Sequence, residues 1–267
     1  MTILVTGATG SVGRLVVDQL LKAGATRVRA LTNKPEQAAL PPEVEVVRGY
    51  LGRVETVQAA LEGVEKMYLA PLEETVREVV ALAAKAGVRH IVDLSGPKES
   101  WWGPVAVTVE ESGIPWTHLE AGEFMENSLV WAEQIRTTGV VRDGYPQSAN
   151  APIAMDDIAA MAATALLEDG HEGKAYPLTG PETISRAEKV RRIGRALGRE
   201  IPYVELTHED AVEQLRREMG DFAQWYVDGI AELVEHPQPA VRTVEDVTGR
   251  PATTYAEWAV KNVDAFR

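Results

Sequence analysis

Three glycines directly after a short apolar run constrain the fold of this chain more than any other feature. The glycine loop, Gly7-Ala-Thr-Gly10-Ser-Val-Gly13, follows Ile3-Leu-Val5 and leads into Val12–Ala23, where apolar residues recur at helical spacing. Glycine at such positions permits a tight turn, close approach of the backbone to an anion and close packing of helix on strand. Unpaired N–H groups and the dipole at a helix N-terminus favour a phosphate there. The loop therefore predicts a nucleotide-binding strand, turn and helix, although a purely structural turn would also use glycine.

The first half of the chain alternates short β-rich runs with segments of helical periodicity. Five repeats of strand, helix and strand indicate an α/β fold, a Rossmann-type doubly wound parallel sheet with helices on both faces. We expect residues 1–122 to form its dinucleotide-binding core. The predicted strands are Ile3–Val5, Arg27–Leu31, Val44–Val47, Lys66–Leu69, His90–Leu94 and Trp116–Leu119.

After Gly122 the pattern changes to longer helical stretches around short strands near Tyr176–Leu178 and Tyr203–Glu205. Ligands bind outside the carboxyl ends of the strands in doubly wound sheets, so a segment that follows the core is placed to cover them. We therefore expect residues 123–267 to form a smaller, mostly helical substrate-binding part. Because 45% of the residues are hydrophobic and the composition shows no break, we interpret residues 1–267 as a single NAD(P)-binding domain.

Composition excludes several classes of partner and site. Lys and Arg total 27 against 40 Asp and Glu, and the resulting net charge of −13 opposes binding to nucleic acid or anionic membranes. The sequence has no cysteine and no metal-ligand spacing among its histidines, so we predict no metal site. It shows no signal-peptide pattern and no run of about 18 apolar residues. We expect a cytoplasmic protein that takes a small-molecule substrate and binds neither nucleic acid nor membrane, and a homodimer stays open.

The residues after the second predicted strand bear on the choice of dinucleotide. A carboxylate about 20 residues beyond the glycine loop selects NAD(H), because it accepts hydrogen bonds from the free ribose hydroxyls. Here the chain reads Thr32-Asn33-Lys34, and no acid occurs before Glu36. Lys34 and two neutral donors suit an additional ribose phosphate, although a solvated lysine at the start of a helix is also common. The pattern favours NADP(H) and leaves NAD(H) open.

Motifs along nearly the whole chain have a specific order and spacing. They are Gly7–Gly13, Val44–Gly49, Leu61–Gly63, Gly87–Val92, Ser112–Thr117, Phe124–Asn127, Asp157–Ala159 and Tyr176–Gly180. Together they resemble the NmrA-like branch of the atypical short-chain dehydrogenase/reductases, close to the bacterial quinone and triphenylmethane reductases. The resemblance implies a Rossmann domain, an NADP(H) site and a small substrate cleft covered by the C-terminal segments.

Several positions depart from this family. Asn33 stands where members often carry an arginine for the cofactor phosphate, and Gly49-Tyr50-Leu51 replaces a common Gly-Asp-Leu. Trp102 and Ala106 occupy positions where relatives tend to have Lys and Glu. No Tyr is followed four residues later by Lys, so the phenol and lysine pair of short-chain dehydrogenases is missing. A standard carbonyl reductase is therefore not predicted.

Hydride transfer without that pair is feasible to electron-poor acceptors held close to the nicotinamide. Two residues after the fifth strand, Ser95 and Lys98, are candidate catalytic groups, with a turn residue and a solvated lysine as alternatives. The candidate substrate contacts are Trp101, Trp102, Phe124, Met125 and Asn127, of which the aromatics and the methionine suit core packing as well. The candidate cofactor contacts are Gly7, Thr9, Gly10, Ser11, Val12, Gly13, Thr32, Asn33, Lys34, Leu51, Ala70, Pro71 and Ser95.

The sequence supports one leading function and two alternatives. The leading hypothesis is an NADP(H)-dependent oxidoreductase that reduces a small conjugated or aromatic acceptor, such as a quinone, an iminium ion or a polarised double bond. The first alternative is an NmrA-like redox sensor that binds NADP(H) without turnover and reports to a protein partner. The second is a non-redox isomerase, cyclase or dehydratase on the same fold.

Overall fold

A computed structural model describes residues 1–100 and 102–267 of the chain, so the predicted substrate contact Trp101 lies outside the described residues. The chain divides into two compact units. Unit 1 comprises Met1–Gly122, Met155–Leu178 and Thr243–Arg250, and unit 2 comprises Glu123–Ala154, Thr179–Arg242 and Pro251–Arg267. Within the described residues, no helix has the length and apolar character needed to cross a membrane.

The secondary structure follows the expected alternation. The strands are β1 (Ile3–Val5), β2 (Val28–Thr32), β3 (Glu45–Arg48), β4 (Lys66–Leu69), β5 (His90–Ser95), β6 (Trp116–Ala121), β7 (Val141–Asp143), β8 (Ala149–Asn150), β9 (Lys174–Leu178), β10 (Ile184–Ser185) and β11 (Tyr203–Glu205). The α-helices are α1 (Ser11–Lys22), α2 (Val76–Ala86), α3 (Gly103–Glu111), α4 (Ala132–Thr138), α5 (Met155–Leu167), α6 (Arg186–Leu197), α7 (His208–Met219), α8 (Phe222–Glu235), α9 (Thr243–Thr248) and α10 (Tyr255–Lys261).

Unit 1 is built on a parallel sheet with the strand order β3-β2-β1-β4-β5-β6-β9 in the described part of the chain. Strands such as Ile3–Val5 are buried along their whole length because helices flank the sheet, and such strands read as continuous apolar runs. The strand order reverses between β1 and β4. In doubly wound sheets this is where ligands bind, outside the carboxyl ends of the strands. The predicted Rossmann-type α/β fold is confirmed.

Unit 1 extends beyond the core expected over residues 1–122. Helix α5 packs against α1, and β9 pairs in parallel with β6 along Thr117–Ala121. The strand predicted near Tyr176–Leu178 therefore completes the central sheet. The helical periodicity of Val54–Leu61 gives only two short 3₁₀ turns, Val54–Thr56 and Gln58–Leu61. The segment is short and rich in β-branched residues, which lowers its helix propensity.

Unit 2 contains two small sheets, β10 paired with β8 and β11 paired with β7, among helices. Its core includes the fully buried side chains of Tyr255, Trp258 and Phe266. Helix α6 begins after Ser185, whose side chain accepts a hydrogen bond from the backbone N–H of Glu188. This cap fixes the first turn of α6.

Candidate functional site

The glycine loop joins β1 to α1 in the manner that a bound diphosphate requires. Gly7 has a φ of +58°, a conformation that side chains disfavour. A Cβ on Gly13 would overlap the carbonyl oxygen of Gly7, so only glycine fits where the helix crosses the loop. No side chain caps α1, and its first turn carries no acidic residue. The N–H groups at the start of α1 are therefore available to an anion, and the loop fits a pyrophosphate.

A pocket of about 520 Å³ opens beside this loop, at the carboxyl ends of β1, β2 and β4. We call it the nucleotide pocket. Eight of the predicted cofactor contacts line it: Gly7, Thr9, Thr32, Asn33, Lys34, Leu51, Ala70 and Pro71. Gly10, Ser11, Val12 and Gly13 lie where α1 begins. The sequence prediction missed five lining residues, Leu31, Gln37, Gly49, Tyr50 and Leu72.

Hydroxyl groups fasten the loop to the neighbouring strands. The hydroxyl groups of Thr9 and Thr32 share a hydrogen bond of 3.2 Å, which ties the loop to the end of β2. The hydroxyl of Thr6 donates to the carbonyl of Tyr68 and accepts from the backbone N–H of Ala70 at 2.8 Å. These bonds hold three strand ends in one arrangement, so the pocket is preorganised.

Two arginines surround Asn33, the residue that replaces the family's usual arginine. Arg53 Nη2 donates to Asn33 Oδ1 at 2.8 Å, and Arg48 Nη1 donates to the Asn33 carbonyl at 3.1 Å. The nearest acid, Glu36, is ion-paired to Arg48 at 2.9 Å. Lys34 was the only cation predicted at this position from the sequence. A search for arginines in the loop after β3, which lies beside β2 in a doubly wound sheet, would have found Arg53.

The predicted catalytic residues lie at the carboxyl end of β5, with Ser95 as its last residue and Lys98 in the loop that follows. Ser95 is buried, and no atom in the described part of the chain forms a hydrogen bond with its hydroxyl oxygen. The side chain of Lys98 is 53% exposed, and its Nζ lies 2.8 Å from Glu110 Oε2 on α3. Trp102 packs against the hydrophobic core of unit 1, which was the alternative to a substrate contact.

A buried charged cluster lies behind Lys98. His118 Nδ1 is 2.7 Å from Asp93 Oδ2, and both side chains are almost fully buried. His118 Nε2 lies 3.4 Å from Glu110 Oε1. Burial opposes charge on the imidazole, but the hydrogen bond and charge of Asp93, with Glu110, raise the pKa of His118 above its ordinary value. No sequence pattern marked His118 or its acidic partners as part of a site.

A second cavity, of about 210 Å³, lies within unit 2, and we call it the polar cavity. Apolar side chains form one part of its wall, and hydrogen-bonding or charged groups form the rest. Its lining residues are Glu123, Asn127, Ser128, Val130, Trp131, Asp143, Arg186, Leu215, Met219 and Tyr226.

Two buried ion pairs shape the polar cavity. Arg186, in the first turn of α6, pairs with Asp143, which also accepts from the Trp131 indole N–H at 2.6 Å. Lys189, one turn later, contacts Glu123 Oε2 at 2.9 Å. Burial opposes ionisation of Glu123, but Lys189 and Arg186 hold the pKa of its carboxyl below the usual range. The guanidinium Nε of Arg186 has no hydrogen-bond partner among the described residues.

The three residues predicted over the substrate from the Phe124–Asn127 motif have different environments. Asn127 is exposed and lines the polar cavity. Met125 is buried in the hydrophobic core of unit 2, as its helical spacing allowed. Phe124 is half-buried and bridges to Ile153 as an isolated β-type pair. Of the three, only Asn127 lies in a cavity wall.

Comparison with known protein families and curated proteins gives consistent results. A family model described as NAD(P)H-binding matches residues 7–169. A (4-alkanoyl-5-oxo-2,5-dihydrofuran-3-yl)methyl phosphate reductase of Streptomyces griseus is 36% identical over 283 residues, covering 99% of each chain. An NAD(P)H azoreductase of Xenophilus azovorans is also 36% identical, over 285 residues and 99% of each chain.

Solved structures match the fold over nearly the same span. An NADPH-dependent quinone oxidoreductase of Escherichia coli, complexed with NADPH, has a TM-score of 0.86 and 26% identity, covering 97% of this chain and 99% of that one. A triphenylmethane reductase of Citrobacter sp., complexed with NADP(H), has a TM-score of 0.83 at 23% identity, with 98% and 100% covered.

Proposed function

This chain belongs to the NAD(P)H-binding family and is an NAD(P)H-dependent oxidoreductase, and from that premise we propose that it uses NADPH to reduce a small conjugated or aromatic acceptor. The observation that carries the proposal is the nucleotide pocket, whose ribose end presents Lys34 and Asn33 and has no free carboxylate among the described residues. The phenol and lysine pair of a carbonyl reductase is absent from the sequence.

The preference for NADPH rests on charge at that end of the pocket. Lys34 lines the pocket, and Arg53 contacts Asn33, so two cations lie close to the position of a ribose phosphate. Glu36, which would repel a phosphate, is neutralised by Arg48. A charge-assisted hydrogen bond to phosphate is about twice as strong as a neutral one. NADH, which lacks this phosphate, gains nothing from these cations.

The acceptor class is inferred from the relatives and from the missing phenol. The substrates named for three relatives are an acylated oxo-dihydrofuran, an azo compound and a quinone. All three are conjugated systems that accept electrons readily. Such acceptors need positioning more than acid catalysis in the hydride-transfer step. This requirement matches a site without the usual proton-donating tyrosine.

We assign proton delivery to Lys98, with Ser95 as an orienting hydroxyl. Bound NADPH would supply a hydride to one atom of the acceptor's conjugated system. The Lys98 ammonium then donates a proton to the atom that gained the electron pair, which completes a two-electron, two-hydrogen reduction. The neutral amine takes a proton back from water, because its side chain is 53% exposed. The buried Ser95 hydroxyl has an unused hydrogen bond to offer an acceptor oxygen.

We propose the polar cavity of unit 2 as a separate site for a small ring compound. Its volume of about 210 Å³ is below the roughly 300–1,000 Å³ of sites for drug-sized ligands, so a single ring with short substituents suits it. Leu215 and Met219 offer an apolar wall, and Asn127 and Tyr226 offer hydrogen bonds. We therefore expect a one-ring compound to bind in this cavity more tightly than a dye with three aryl rings.

The test is turnover of a panel of acceptors by purified protein. The panel comprises a benzoquinone, an azo dye, an acylated unsaturated furanone and a triaryl dye, each with NADPH and with NADH. We expect oxidation of NADPH with matching formation of reduced product for at least one of the first three. NADPH binding without oxidation in any reaction would refute a reductase and favour a redox sensor. Conversion of an acceptor with no change in NADPH would instead indicate a non-redox enzyme.

A further inference from the structure

We infer that Asp93, His118 and Glu110 form a buried chain that positions the Lys98 ammonium group for its reaction. The inference deepens the proposed function and rests on Lys98 as the proton donor. Its basis is a series of three direct contacts that begins inside the sheet and ends at Lys98. We call these residues the positioning chain.

The contacts link three separate elements of unit 1. Asp93 on β5 binds His118 on β6 at 2.7 Å, through Oδ2 and Nδ1. The other imidazole nitrogen faces Glu110 Oε1 on α3 at 3.4 Å, an ion-pair distance at which the two atoms form no hydrogen bond. The second carboxylate oxygen of Glu110 binds Lys98 Nζ at 2.8 Å. The two middle residues, His118 and Glu110, thus each make one contact toward the interior and one toward Lys98, through different side-chain atoms.

The inner end of the chain is rigid. Asp93 and His118 are direct partners in the parallel register of β5 and β6, so the sheet fixes their separation. The imidazole also stacks on the Trp116 indole, with ring centroids 4.1 Å apart and an angle of 17° between planes. His118 is only 1% exposed, which leaves it few alternative rotamers.

Helix α3 contacts both the backbone and the side chain of Lys98. A Cβ on Gly103, the first residue of α3, would overlap the carbonyl oxygen of Lys98. The loop that carries Lys98 is therefore packed directly on the start of the same helix that supplies Glu110. Because both the backbone and the ammonium group of Lys98 contact α3, the helix fixes the position of each end of the side chain.

The charges along the positioning chain alternate. Asp93 and Glu110 are acidic, and His118 and Lys98 are basic, so each group has an opposite neighbour. Glu120 on β6 and Glu99 in the Lys98 loop are the other acids that act on this cluster, and burial raises the pKa of Glu120. Buried ion pairs contribute little net stability, because desolvation offsets their attraction. A positioning role accounts for keeping such a chain inside the sheet.

The positioning chain matters because the side chain of Lys98 loses and regains a proton during each turnover. After giving its proton away, the neutral amine has a weaker hold on Glu110. When His118 is protonated, its charge keeps Glu110 in place during that interval, so the amine stays near its acceptor while it is protonated again. Loss of His118 would free Glu110 and let the lysine move. A misplacement of about 1 Å in such a group can lower a rate about 100-fold.

The matched test compares two buried histidines on neighbouring strands. His90 on β5 is also 1% exposed, but its imidazole lies 2.9 Å from the Thr117 hydroxyl and contacts no acid among the described residues. We expect His118→Gln to lower kcat about 10-fold to 100-fold with an unchanged Kd for NADPH. We expect His90→Gln to change kcat less than about 2-fold, within the range of an indirect packing effect.

A double-mutant cycle separates positioning from general damage to the fold. Because His118 acts through Lys98, His118→Gln should have almost no further effect on kcat in a Lys98→Met background. The ratio of wild-type to His118→Gln activity should also fall toward one as the pH rises past the raised pKa of His118, since the neutral imidazole no longer holds Glu110. A merely structural histidine would show neither behaviour.

Each outcome decides between the inference and the proposal beneath it. Equal losses from His118→Gln with and without Lys98, or equal losses from both histidine variants, would overturn the positioning chain. Full activity of Lys98→Met would refute both the positioning chain and the assignment of Lys98 as proton donor. NADPH oxidation by the wild type would still support a reductase. If His118→Gln does not fold, Glu110→Gln, at a side chain that is 23% exposed, repeats the cycle and decides it.

Discussion

The nucleotide pocket of unit 1 and the polar cavity of unit 2 are built in different ways. The anion-binding end of the pocket is the backbone of the glycine loop, and the other lining residues lie at or after the ends of β2, β3 and β4. The cavity is lined by apolar, polar and charged side chains, and its buried ion pairs join distant segments, as Asp143 and Arg186 do. A site formed by backbone requires positions that carry no side chain. A site formed by buried ion pairs requires both partners of each pair.

This difference has an energetic consequence. Removing one member of a buried ion pair leaves the other charge without compensation, which costs far more than the net value of the pair. Adding a methyl group to the glycine loop has a different effect, because it displaces the backbone that faces the anion. We therefore expect substitutions in unit 2 to act first on stability, and substitutions in the glycine loop to act first on binding.

The largest expected effect is that of Arg186→Met on stability. The substitution leaves the buried Asp143 unpaired, so we expect the free energy of unfolding to fall by about 3–5 kcal/mol in urea titrations. The matched control is Arg195→Met on the same helix, whose side chain is 72% exposed and should change stability by less than about 1 kcal/mol. Similar stabilities for the two variants would contradict the contrast between the units.

The second effect is that of Gly13→Ala on cofactor binding. A Cβ there would overlap the Gly7 carbonyl oxygen and force the loop apart, so we expect the Kd for NADPH to rise at least about 100-fold in calorimetry. Gly229→Ala on α8 is the control, because a Cβ at that position meets no atom within 4 Å. Binding of NADPH by Gly13→Ala within about 10-fold of wild type would show that the pocket is not a backbone site.

The third effect is a loss of stability in acid. It is expected from the buried neutral histidine His90 in unit 1, and not from the paired charges of the polar cavity in unit 2. Burial lowers the pKa of His90 to about 4. The unfolded chain takes up the proton near the ordinary value of 6.5, so stability from neutral His90 is present above that pH and is lost as the pH falls toward 4.

Between about pH 7.5 and about pH 5, this loss amounts to about 2 kcal/mol. It is measured as the change in the stability difference between wild type and His90→Gln, which removes the contribution of other groups. A difference that stays constant over this range would mean that His90 is not held neutral. Glu123 in unit 2, whose pKa is lowered, should keep its charge throughout.

The smallest effect tests side chains at the edge of the nucleotide pocket. We expect Lys34→Ala and Arg53→Ala each to weaken NADPH binding about 10-fold and to leave NADH binding unchanged, because only NADPH carries the ribose phosphate. Arg89→Ala is the control, since Arg89 pairs with Glu65 just before β5, at the opposite edge of the parallel sheet from the pocket. Equal losses for both dinucleotides would place these cations on the diphosphate or the adenine instead.

The sequence predicted those parts of the molecule that depend on local pattern. Strands Lys66–Leu69 and Tyr203–Glu205 lie where the sequence pattern indicated short strands. The glycine loop was also legible, because tight turns and close approach restrict the residue type at each position. Eight predicted contacts accordingly line the nucleotide pocket.

What the sequence did not predict depends on contacts between distant residues. Lys189 meets Glu123, and Arg53 meets Asn33, only after several elements have packed. Lysines and arginines are common on helices and loops, so nothing local separates these from solvated ones. The acidic partners of His118 were missed for the same reason, because strand register brings Asp93 beside it.

The late arrival of β9 at the edge of the central sheet has a consequence for synthesis of the protein. Strand β6 ends at Ala121, but its partner β9 begins only at Lys174. While the ribosome makes the intervening residues, the outer edge of β6 has no neighbour and can pair with other chains. We therefore expect chaperones to bind the nascent amino-terminal half. A fragment that ends before β9 should aggregate rather than fold as a small nucleotide-binding protein.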